Sequence, residues 1–307
     1  MTDKEIIVIG AGPGGITASI YLKRAGYSPY LIESHMPGGK IPLTYSIENY
    51  PGFDTVSGSD LAMKMVDQLT ANQIDIHYET VLRVRKTEAG IRVETDADVY
   101  RADAVVIASG TREKKLGIKG EEKFLHRGIS FCAVCDGGFF KNKPMAVIGG
   151  GNSALEEALY LEKIADPLYL IHRRKEFRGD LSCVEQVKAS ENIRILTPYI
   201  PLEFKGGDRL EALVIQHAET KEIREIPLAG AFEYVGAIPN TDFLEEKDLL
   251  DERGYILVNP NMETSIPGIF AAGDVTVKEL RQIVTANGDG AIAAIHAAAY
   301  LKKQKQG

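Results

Sequence analysis

Two cysteines lie in the segment FCAVCDGGFF (residues 131–140), with two residues between them and an aspartate directly after the second. A C-x-x-C pair can bind a metal ion, form a structural disulfide, or open and close as a redox centre. The third cysteine, Cys183, lies alone in DLSCVEQV and is predicted to be a packed helix residue. Because the spacing of Cys132 and Cys135 does not choose among these kinds of site, the surrounding elements must be considered.

The composition limits the class of protein. The 307 residues are 44% hydrophobic and 26% charged, which is typical of a globular chain of about two domains. No run approaches the roughly 18 apolar residues of a membrane helix, and MTDKEIIVIGAG enters a strand pattern without a signal peptide. The net charge of −7 and the dispersed basic residues argue against nucleic acid as a partner. We therefore expect a cytoplasmic α/β enzyme with no membrane or nucleic-acid partner, in which a close cysteine pair more often indicates metal binding or catalysis.

The N-terminal segment has the pattern of a dinucleotide-binding unit. EIIVIG (5–10) predicts a buried strand, GAGPGG (10–15) a glycine loop, ITASIYLKRAG a helix, and PYLIES (29–34) a second strand. The glycines allow a tight turn and let backbone N–H groups approach a pyrophosphate at the helix N-terminus. Glu33, at the end of the second strand, can accept hydrogen bonds from ribose hydroxyls, as in FAD or NAD sites.

The same unit occurs a second time. PMAVIG (144–149), GGGNSA (149–154), a helical pattern and PLYLIH (167–172) repeat the order, so that Gly10 corresponds to Gly149 and Gly12 to Gly151. Two copies in register are much stronger evidence than one glycine loop. The position of Glu33 is taken in the second copy by His172, and this residue is followed by the cations Arg173, Arg174 and Arg178. Guanidinium groups bind phosphate well, so this copy favours NADPH over NADH, and a solvated charged loop is the weaker interpretation.

Two later strand patterns determine the predicted architecture. DAVVIASG (103–110) predicts a strand that ends at Gly110, GIFAAGDV (268–275) predicts one that ends at Gly273-Asp274, and an Ala-rich stretch from Gly288 predicts a long buried helix. If both strands complete the first sheet, the second unit is an insertion. We therefore predict an α/β fold with two Rossmann-like dinucleotide-binding domains: an FAD domain (1–112 and 240–307) and an inserted NADPH domain (113–239) that carries the C-x-x-C pair. An insertion joined by two crossings can rotate as a body.

Six segments carry a resemblance to a known family: GAGPGG, PGGK…ENYPGF, CAVCDG, GGGNSALEEALYL, HRRKEFR and GIFAAGDV. Over almost its whole length the chain resembles the bacterial-type, low-molecular-weight thioredoxin reductases, which are FAD- and NADPH-dependent pyridine nucleotide-disulfide oxidoreductases. The resemblance implies that Cys135 exchanges electrons with the flavin, that Cys132 attacks the disulfide of thioredoxin, and that Asp136 is the acid–base. It also implies a homodimer.

The other interpretations of the pair are weaker. A zinc site requires four ligands, and the sequence has no second C-x-x-C and no spaced His pair, so no metal is expected. A purely structural disulfide is not expected in a chain without an export signal.

The resemblance also implies two sets of cofactor-binding residues. The FAD set is Gly10, Gly12, Pro13, Gly14, Gly15, Glu33, Gly38, Gly39, Lys40, Ile41, Asn49, Val81, Ser109, Gly110, Gly273, Asp274, Arg281, Gln282 and Ile283. The NADPH set is Gly149, Gly151, Asn152, Ser153, Ala154, His172, Arg173, Arg174 and Arg178.

Several positions depart from the family pattern. Lys40-Ile41 replaces the usual Gln-Leu, so Lys40 would change the electrostatics near the flavin, and Ser109 replaces a threonine while keeping a hydroxyl. Asp289, near the predicted start of the last helix, would either disfavour negative charge on the reduced flavin or cap the helix, and capping is the favoured interpretation.

The predicted activity is that of an NADPH-dependent thioredoxin-disulfide reductase, which passes electrons from NADPH through FAD and the Cys132–Cys135 disulfide to thioredoxin. Since the NADPH loop and the cysteine pair must both reach one flavin, we predict that the inserted domain rotates between them. The alternatives are a related flavoprotein disulfide reductase that uses another dithiol carrier or a non-nicotinamide electron donor, and a non-catalytic redox sensor that uses the pair as a switch.

Overall fold

A computed structural model describes residues 1–306. Contacts divide the chain into two compact units. The first unit contains Met1–Pro42, Ser46–Arg112 and the chain from Ile238 onward, and the second contains Leu43–Tyr45 and Glu113–Ala237. Both units are built on a parallel sheet with a glycine loop, so the predicted α/β class is confirmed.

The strands, in chain order, are β1 (Thr2–Ile9), β2 (Tyr30–Glu33), β3 (Ile76–Tyr78), β4 (Val81–Thr87), β5 (Gly90–Thr95), β6 (Val99–Ile107), β7 (Thr111–Glu113), β8 (Ile129–Ser130), β9 (Met145–Gly149), β10 (Leu168–Ile171), β11 (Ile193–Leu196), β12 (Tyr199–Lys205), β13 (Ala212–His217), β14 (Ile223–Pro227), β15 (Gly230–Tyr234), β16 (Ala237–Pro239) and β17 (Ile269–Ala271). The α-helices are α1 (Pro13–Arg24), α2 (Gly58–Ala71), α3 (Glu121–Phe124), α4 (Ala133–Asp136), α5 (Asn152–Leu161), α6 (Leu181–Ala189) and α7 (Ile283–Gln304).

The sheet of the first unit has the order β3-β2-β1-β6-β5-β4, and β17 also pairs with β6. Strands β3, β2, β1, β6 and β17 are parallel, whereas β4 and β5 add an antiparallel edge. Successive residues of β1 enter opposite cores: Ile6 and Val8 pack with the helices, and Ile7 and Ile9 pack on the other face. Burial on both faces explains why this strand is a continuous apolar run rather than an alternating one.

The second unit contains a five-stranded parallel sheet with the order β11-β10-β9-β15-β8 and a three-stranded antiparallel sheet, β12-β13-β14. All five residues of β9 are buried. Helix α5 packs Leu155, Ala158 and Leu161 into the core on one face of the parallel sheet. The short strands β7 and β16, which carry the chain between the two units, pair with each other.

The last helix begins earlier than predicted. Helix α7 starts at Ile283 rather than near Gly288, because a capping box forms at its N-terminus. The Gln282 side chain accepts from the backbone of Thr285, and the Thr285 hydroxyl accepts from the Gln282 N–H at 3.1 Å. No helix in residues 1–306 is long and apolar enough to cross a membrane.

Helices α1 and α7 approach each other at the level of their backbones. A Cβ atom on Gly290 would overlap the carbonyl oxygen of Gly14, and one on Gly14 would lie 3.3 Å from the carbonyl oxygen of Ala286. Gly288, two residues earlier on the same helix and therefore on the opposite face, has no atom within 4 Å of its Cβ position outside its neighbours and the helix's own backbone. The contact therefore requires glycine at position 290 and not at position 288.

We predict that Gly290→Ala destabilises the protein by about 1–3 kcal/mol, because the added methyl group forces the two helices apart. Gly288→Ala is the matched control, and we expect it to be neutral or stabilising by up to about 1 kcal/mol, since alanine favours a helix. Urea unfolding followed by far-UV circular dichroism measures both changes. Equal stability of the two variants would contradict the close contact.

Candidate redox and dinucleotide-binding sites

The first glycine loop joins β1 to α1. Gly10 has φ +100°, and a Cβ atom on Gly15 would overlap the carbonyl oxygen of Gly10. Gly12 is the N-cap of α1, Pro13 is the first helical residue, and no side chain caps this end within the described residues. The N-terminal N–H groups of α1 are thus available to a phosphate-sized anion.

Glu33 lies at the end of β2, beside this loop. Its Oε2 accepts from the Ala11 N–H at 2.7 Å, and its Oε1 accepts from the His35 N–H at 2.9 Å. These bonds hold the carboxylate against the loop. Each oxygen has a second lone pair, so the carboxylate can still accept from a ribose hydroxyl.

Gly38 and Gly39 of the GGK segment pack against the same glycine loop. The Gly38 N–H donates to the Ala11 carbonyl at 2.7 Å, and a Cβ on Gly39 would lie 3.2 Å from the Cα of Gly12. Both glycines have positive φ, +100° and +61°, which disfavours other residues. Ile41 follows in a short 3₁₀ turn and is buried.

Ser109 and Gly110 lie just after β6 and bind Asn240. The Ser109 hydroxyl donates to the Asn240 carbonyl at 2.7 Å, and the Asn240 side chain donates to the Ser109 carbonyl at 2.9 Å. The Gly110 carbonyl accepts from the Asn240 N–H at 3.0 Å. Val81 lines a surface pocket that Asn240 and Phe243 also line.

A turn rich in charged groups follows β17. Gly273 has φ +77°, and burial raises the pKa of the Asp274 carboxyl, although Lys278 and Lys40 oppose this effect. The Arg281 guanidinium donates to backbone carbonyls of this turn, at 3.2 Å to Asp274, 3.1 Å to Thr276 and 3.1 Å to Lys278. Arg281 therefore shapes the turn that presents Asp274. Gln282 accepts at 3.3 Å from the side chain of Asn49, which brings the 49 segment to the start of α7.

Asp289 does not cap α7, so the favoured prediction for this residue is wrong. It lies inside the helix, accepts from the Gly273 N–H at 3.0 Å, and forms an ion pair with Lys278. Each side chain of this pair is only 14% exposed. The pair fastens α7 to the turn that contains Asp274.

The second glycine loop joins β9 to α5. A Cβ on Gly149 would lie 2.5 Å from the Tyr234 carbonyl oxygen, and Gly151 is the N-cap of α5, with no side-chain cap within the described residues. The Asn152 side chain, in the first turn of α5, exchanges hydrogen bonds of 3.0 and 2.7 Å with Asp180. Ser153 and Ala154 follow in the same turn, and Ala154 is buried.

The four basic residues of the predicted NADPH set, which follow β10, divide into two groups. The His172 ring is 5% exposed, stacks on Phe177 with centroids 5.6 Å apart, and fills the space where a Cβ on Gly150 would lie. Burial, with the Arg178 cation nearby, lowers the pKa of His172, so the ring is neutral at pH 7. Arg173, Arg174 and Arg178 are exposed, and the Arg178 N–H donates to the Gly150 carbonyl at 2.7 Å. The guanidinium groups are thus the candidates for phosphate binding, while His172 supports the loop from below.

Cys132 and Cys135 form a disulfide, with Cα atoms 5.3 Å apart. Cys132 is the N-cap of α4, and its Sγ accepts from the Cys135 N–H at 3.1 Å. Ser130 holds Cys132 by accepting from its N–H at 3.0 Å. Cys135 is exposed, Cys132 is half-buried, and Asp136 ends the helix, also half-buried. The two sulfur atoms therefore differ, because within residues 1–306 only that of Cys132 receives a backbone N–H.

Cys183 lies in α6 and packs at the margin of the core, as predicted. Among residues 1–306 there is no cluster of three or more side chains that could hold a metal ion. Sequence patterns did not indicate Tyr234, whose hydroxyl accepts from the Ala133 N–H at 3.2 Å, or Lys278, the partner of Asp289. No spacing rule marks either residue.

Two nucleotide-type glycine loops and a surface disulfide define a nucleotide-dependent disulfide oxidoreductase. Residues 4–290 match the family model described as pyridine nucleotide-disulphide oxidoreductase, and the chain belongs to this family, among relatives that are thioredoxin reductases. The thioredoxin reductase of Listeria innocua is 39% identical, over 98% of this chain and 95% of its own.

Solved structures of thioredoxin reductases have the same fold as this chain. The thioredoxin reductase of Lactococcus lactis is 38% identical, covers 98% of this chain and 99% of its own, and has a TM-score of 0.96. That of T. acidophilum is 34% identical over 100% of both chains, with a TM-score of 0.92. The predicted family, the two-domain Rossmann-type fold and the oxidoreductase class are confirmed. Membership of this family implies a flavin and a pyridine nucleotide as cofactors.

We predict that in the reduced protein Cys132 is alkylated with a pH midpoint about one unit or more below that of Cys135. The Cys135 N–H stabilises a thiolate at Cys132, as an N-cap acceptor does. Iodoacetamide labelling at several pH values, followed by mass spectrometry with fragmentation, measures each cysteine, with Cys183 as the internal reference. A lower midpoint for Cys135, the more exposed residue, would show that exposure and not the N–H decides reactivity.

Proposed function

We propose that the chain is an NADPH-dependent thioredoxin-disulfide reductase that binds FAD in the first unit and NADPH in the second. The observation that carries the proposal is the surface Cys132–Cys135 disulfide, in the same unit as a glycine loop flanked by exposed arginines. The relatives named thioredoxin reductase support thioredoxin as the substrate.

The first unit fits FAD. The uncapped N-terminus of α1 would hold the pyrophosphate, Glu33 the ribose, and the turn with Asp274 the remaining polar groups. When bound, the flavin supplies the step between a two-electron hydride donor and a disulfide. The remaining residues of the predicted FAD set, from Gly38 and Gly39 to Arg281 and Gln282, would shape this cradle.

The chain's own chemistry is thiol–disulfide exchange. Two electrons and two protons convert the Cys132–Cys135 disulfide to a dithiol. The Cys132 thiolate then attacks the disulfide of thioredoxin and forms a mixed disulfide, and the leaving sulfur takes a proton that Asp136 can supply. Cys135 attacks Cys132 in turn, which restores the disulfide of this chain and releases reduced thioredoxin. Phe139, 77% exposed and close to the pair in sequence, offers an apolar contact to a protein substrate.

The domain assignment is part of the proposal: residues 1–112 and 240–307 form the FAD domain, and residues 113–239 form the inserted NADPH domain. The two seams, at Arg112 and Ile238, and the pairing of β7 with β16 support it. Two short crossings favour a rotation of the inserted domain. Such a rotation would bring NADPH and the Cys132–Cys135 pair to the flavin in turn.

A homodimer is also part of the proposal. Val284, Ile292 and Ile295 are exposed along α7 at 45%, 39% and 51%. Their spacing places them near one face of the helix, and a second copy of the chain would cover them. A cytoplasmic location fits a dithiol product, because the cytosol keeps thiols reduced.

We expect NADPH to bleach the flavin of the FAD-loaded protein rapidly in anaerobic stopped-flow mixing, and the protein to reduce thioredoxin with NADPH. Cys132→Ser keeps flavin bleaching but lowers thioredoxin reduction by at least about 100-fold, because the attacking thiolate is lost. Cys183→Ser is the matched control and retains both activities.

The same measurements decide among the alternatives. Bleaching without thioredoxin reduction would indicate another dithiol carrier. Bleaching by another reductant but not by NADPH would indicate a non-nicotinamide donor, and the absence of bleaching with any donor would favour a redox sensor.

We predict that the double change Arg173→Ala and Arg174→Ala raises the KM for NADPH at least about tenfold, since each charge-assisted bond contributes about 1.5–3 kcal/mol. The KM for NADH should change little, because it lacks the 2′-phosphate. Lys175→Ala is the matched control: Lys175 is the next cation in the loop but pairs with Glu219 at 2.8 Å. An equal loss for both nucleotides would refute phosphate recognition by these arginines.

A further inference from the structure

Tyr234 contacts the redox-active turn. Its hydroxyl accepts from the Ala133 N–H at 3.2 Å, and Ala133 is the first residue of α4, directly after Cys132. Ala133 is fully buried, so water cannot replace this acceptor. The position of α4 therefore depends on the Tyr234 hydroxyl.

Tyr234 is itself firmly held. It is the last residue of β15, which lies between β9 and β8, and it pairs in register with Gly149. Its carbonyl oxygen lies against Gly149, where a Cβ atom would be 2.5 Å away. One residue thus contacts the first glycine of the second loop through its backbone and the redox-active turn through its side chain.

The hydrogen bond between Ala133 and Tyr234 affects the Cys132 sulfur indirectly, because it helps to fix the orientation of α4. The Cys135 N–H reaches Cys132 Sγ only if α4 keeps its present orientation. Ser130 fixes the chain on the N-terminal side of the turn, and Tyr234 fixes the first helical residue. The core packing of Ala133 and these two hydrogen bonds together set the orientation of α4, and Tyr234 supplies the bond at its first residue.

We propose that Tyr234 is a positioning residue for the redox-active pair: by accepting the Ala133 N–H it aims the Cys135 N–H at Cys132 Sγ and so stabilises the Cys132 thiolate after reduction. This deepens the proposed function and rests on the pair being redox-active.

Several ionisable groups face this region. Glu157 of α5 is 7% exposed, its Oε2 has no hydrogen-bond partner within residues 1–306, and burial, with Glu156 adding to it, raises its pKa to about 8. Burial and the nearby Glu157 also raise the pKa of Tyr234, so its hydroxyl stays protonated between pH 5 and pH 9. The other groups are Asp136 on α4, Tyr160 on α5 and Glu113 on β7. The pKa of Glu157 lies within the pH range of the test, so its titration must be separated from that of Cys132.

The test uses the FAD-loaded protein reduced with dithiothreitol and labelled with iodoacetamide from pH 5 to pH 9. We expect Tyr234→Phe to raise the pH midpoint of Cys132 by about 0.7 unit, which is about a fivefold weaker thiolate, because one neutral hydrogen bond is lost. Tyr169→Phe is the matched control, since Tyr169 is a buried tyrosine of the same sheet on its other face, and it leaves the midpoint unchanged. Glu157→Gln, combined with Tyr234→Phe, keeps the shift and removes the titration of Glu157 from the profile.

Hydrogen exchange of the Ala133 amide is the second measurement, and we expect Tyr234→Phe to speed it about fivefold while Tyr169→Phe does not. An unchanged Cys132 midpoint or an unchanged Ala133 exchange rate in Tyr234→Phe overturns the proposal. Neither measurement needs NADPH or thioredoxin. If NADPH fails to bleach the flavin of the wild type, the proposed function is wrong. If bleaching is normal but the wild type and Tyr234→Phe have the same Cys132 labelling profile, the role of Tyr234 is wrong.

Discussion

The close approach of a helix N-terminus to the strand before it is the constraint on which both sites depend. In the first unit a Cβ on Gly15 would overlap the carbonyl oxygen of Gly10. In the second, a Cβ on Gly149 would lie 2.7 Å from the Cβ of Ala154. Any larger side chain would lift the helix from the sheet and carry its N-terminal N–H groups away from the position of a pyrophosphate. The rest of each unit builds on this contact.

The two units use the position after the second strand differently. Glu33 accepts from the N–H of Ala11 in the glycine loop and from the N–H of His35 just after β2, so its carboxylate is held beside the loop before any ligand arrives. In the second unit the equivalent side chain, His172, turns inward under Gly150, and the next residues present their guanidinium groups to solvent. A neutral, buried histidine can occupy the place of a carboxylate there, because the exposed arginines beside it can supply the positive charge that a phosphate would need.

Local patterns were sufficient for the main elements. The apolar runs of β1, β9, β6 and β17 and the glycines that follow them are determined by short-range steric rules, which the sequence displays directly. The start of α7 was not predictable in this way. Asn287, Gly288 and Gly290 disfavour a helix locally, yet the capping box at Gln282 and the packing of Gly290 on Gly14 outweigh that preference. The same helix displaces Asp289 from its predicted capping role.

The raised pKa values of buried carboxyl groups were also not predictable from the sequence. Glu156 and Glu157 look alike in the sequence, but the helix turns Glu157 into the core, where burial raises its pKa to about 8. Glu233 is fully buried, and burial together with the Glu121 carboxylate raises its pKa to about 8 as well. How far burial shifts the pKa of such an acid depends on the neighbours packed around it, which spacing alone does not give, so the raised pKa values become visible only in the folded chain.

The difference between the two cysteines also has one local cause and one tertiary cause. The C-x-x-C spacing brings the sulfur atoms together, and the N-cap position of Cys132 gives its sulfur an N–H donor that Cys135 does not have in the part of the chain that the structure describes. Exposure makes the Cys135 sulfur accessible, whereas the N–H donor favours a thiolate at Cys132, so the two sulfur atoms are suited to different steps of thiol–disulfide exchange. The tertiary contact from β15 to Ala133 keeps that donor in place, so a residue remote in sequence contributes to a distinction that the motif alone only permits.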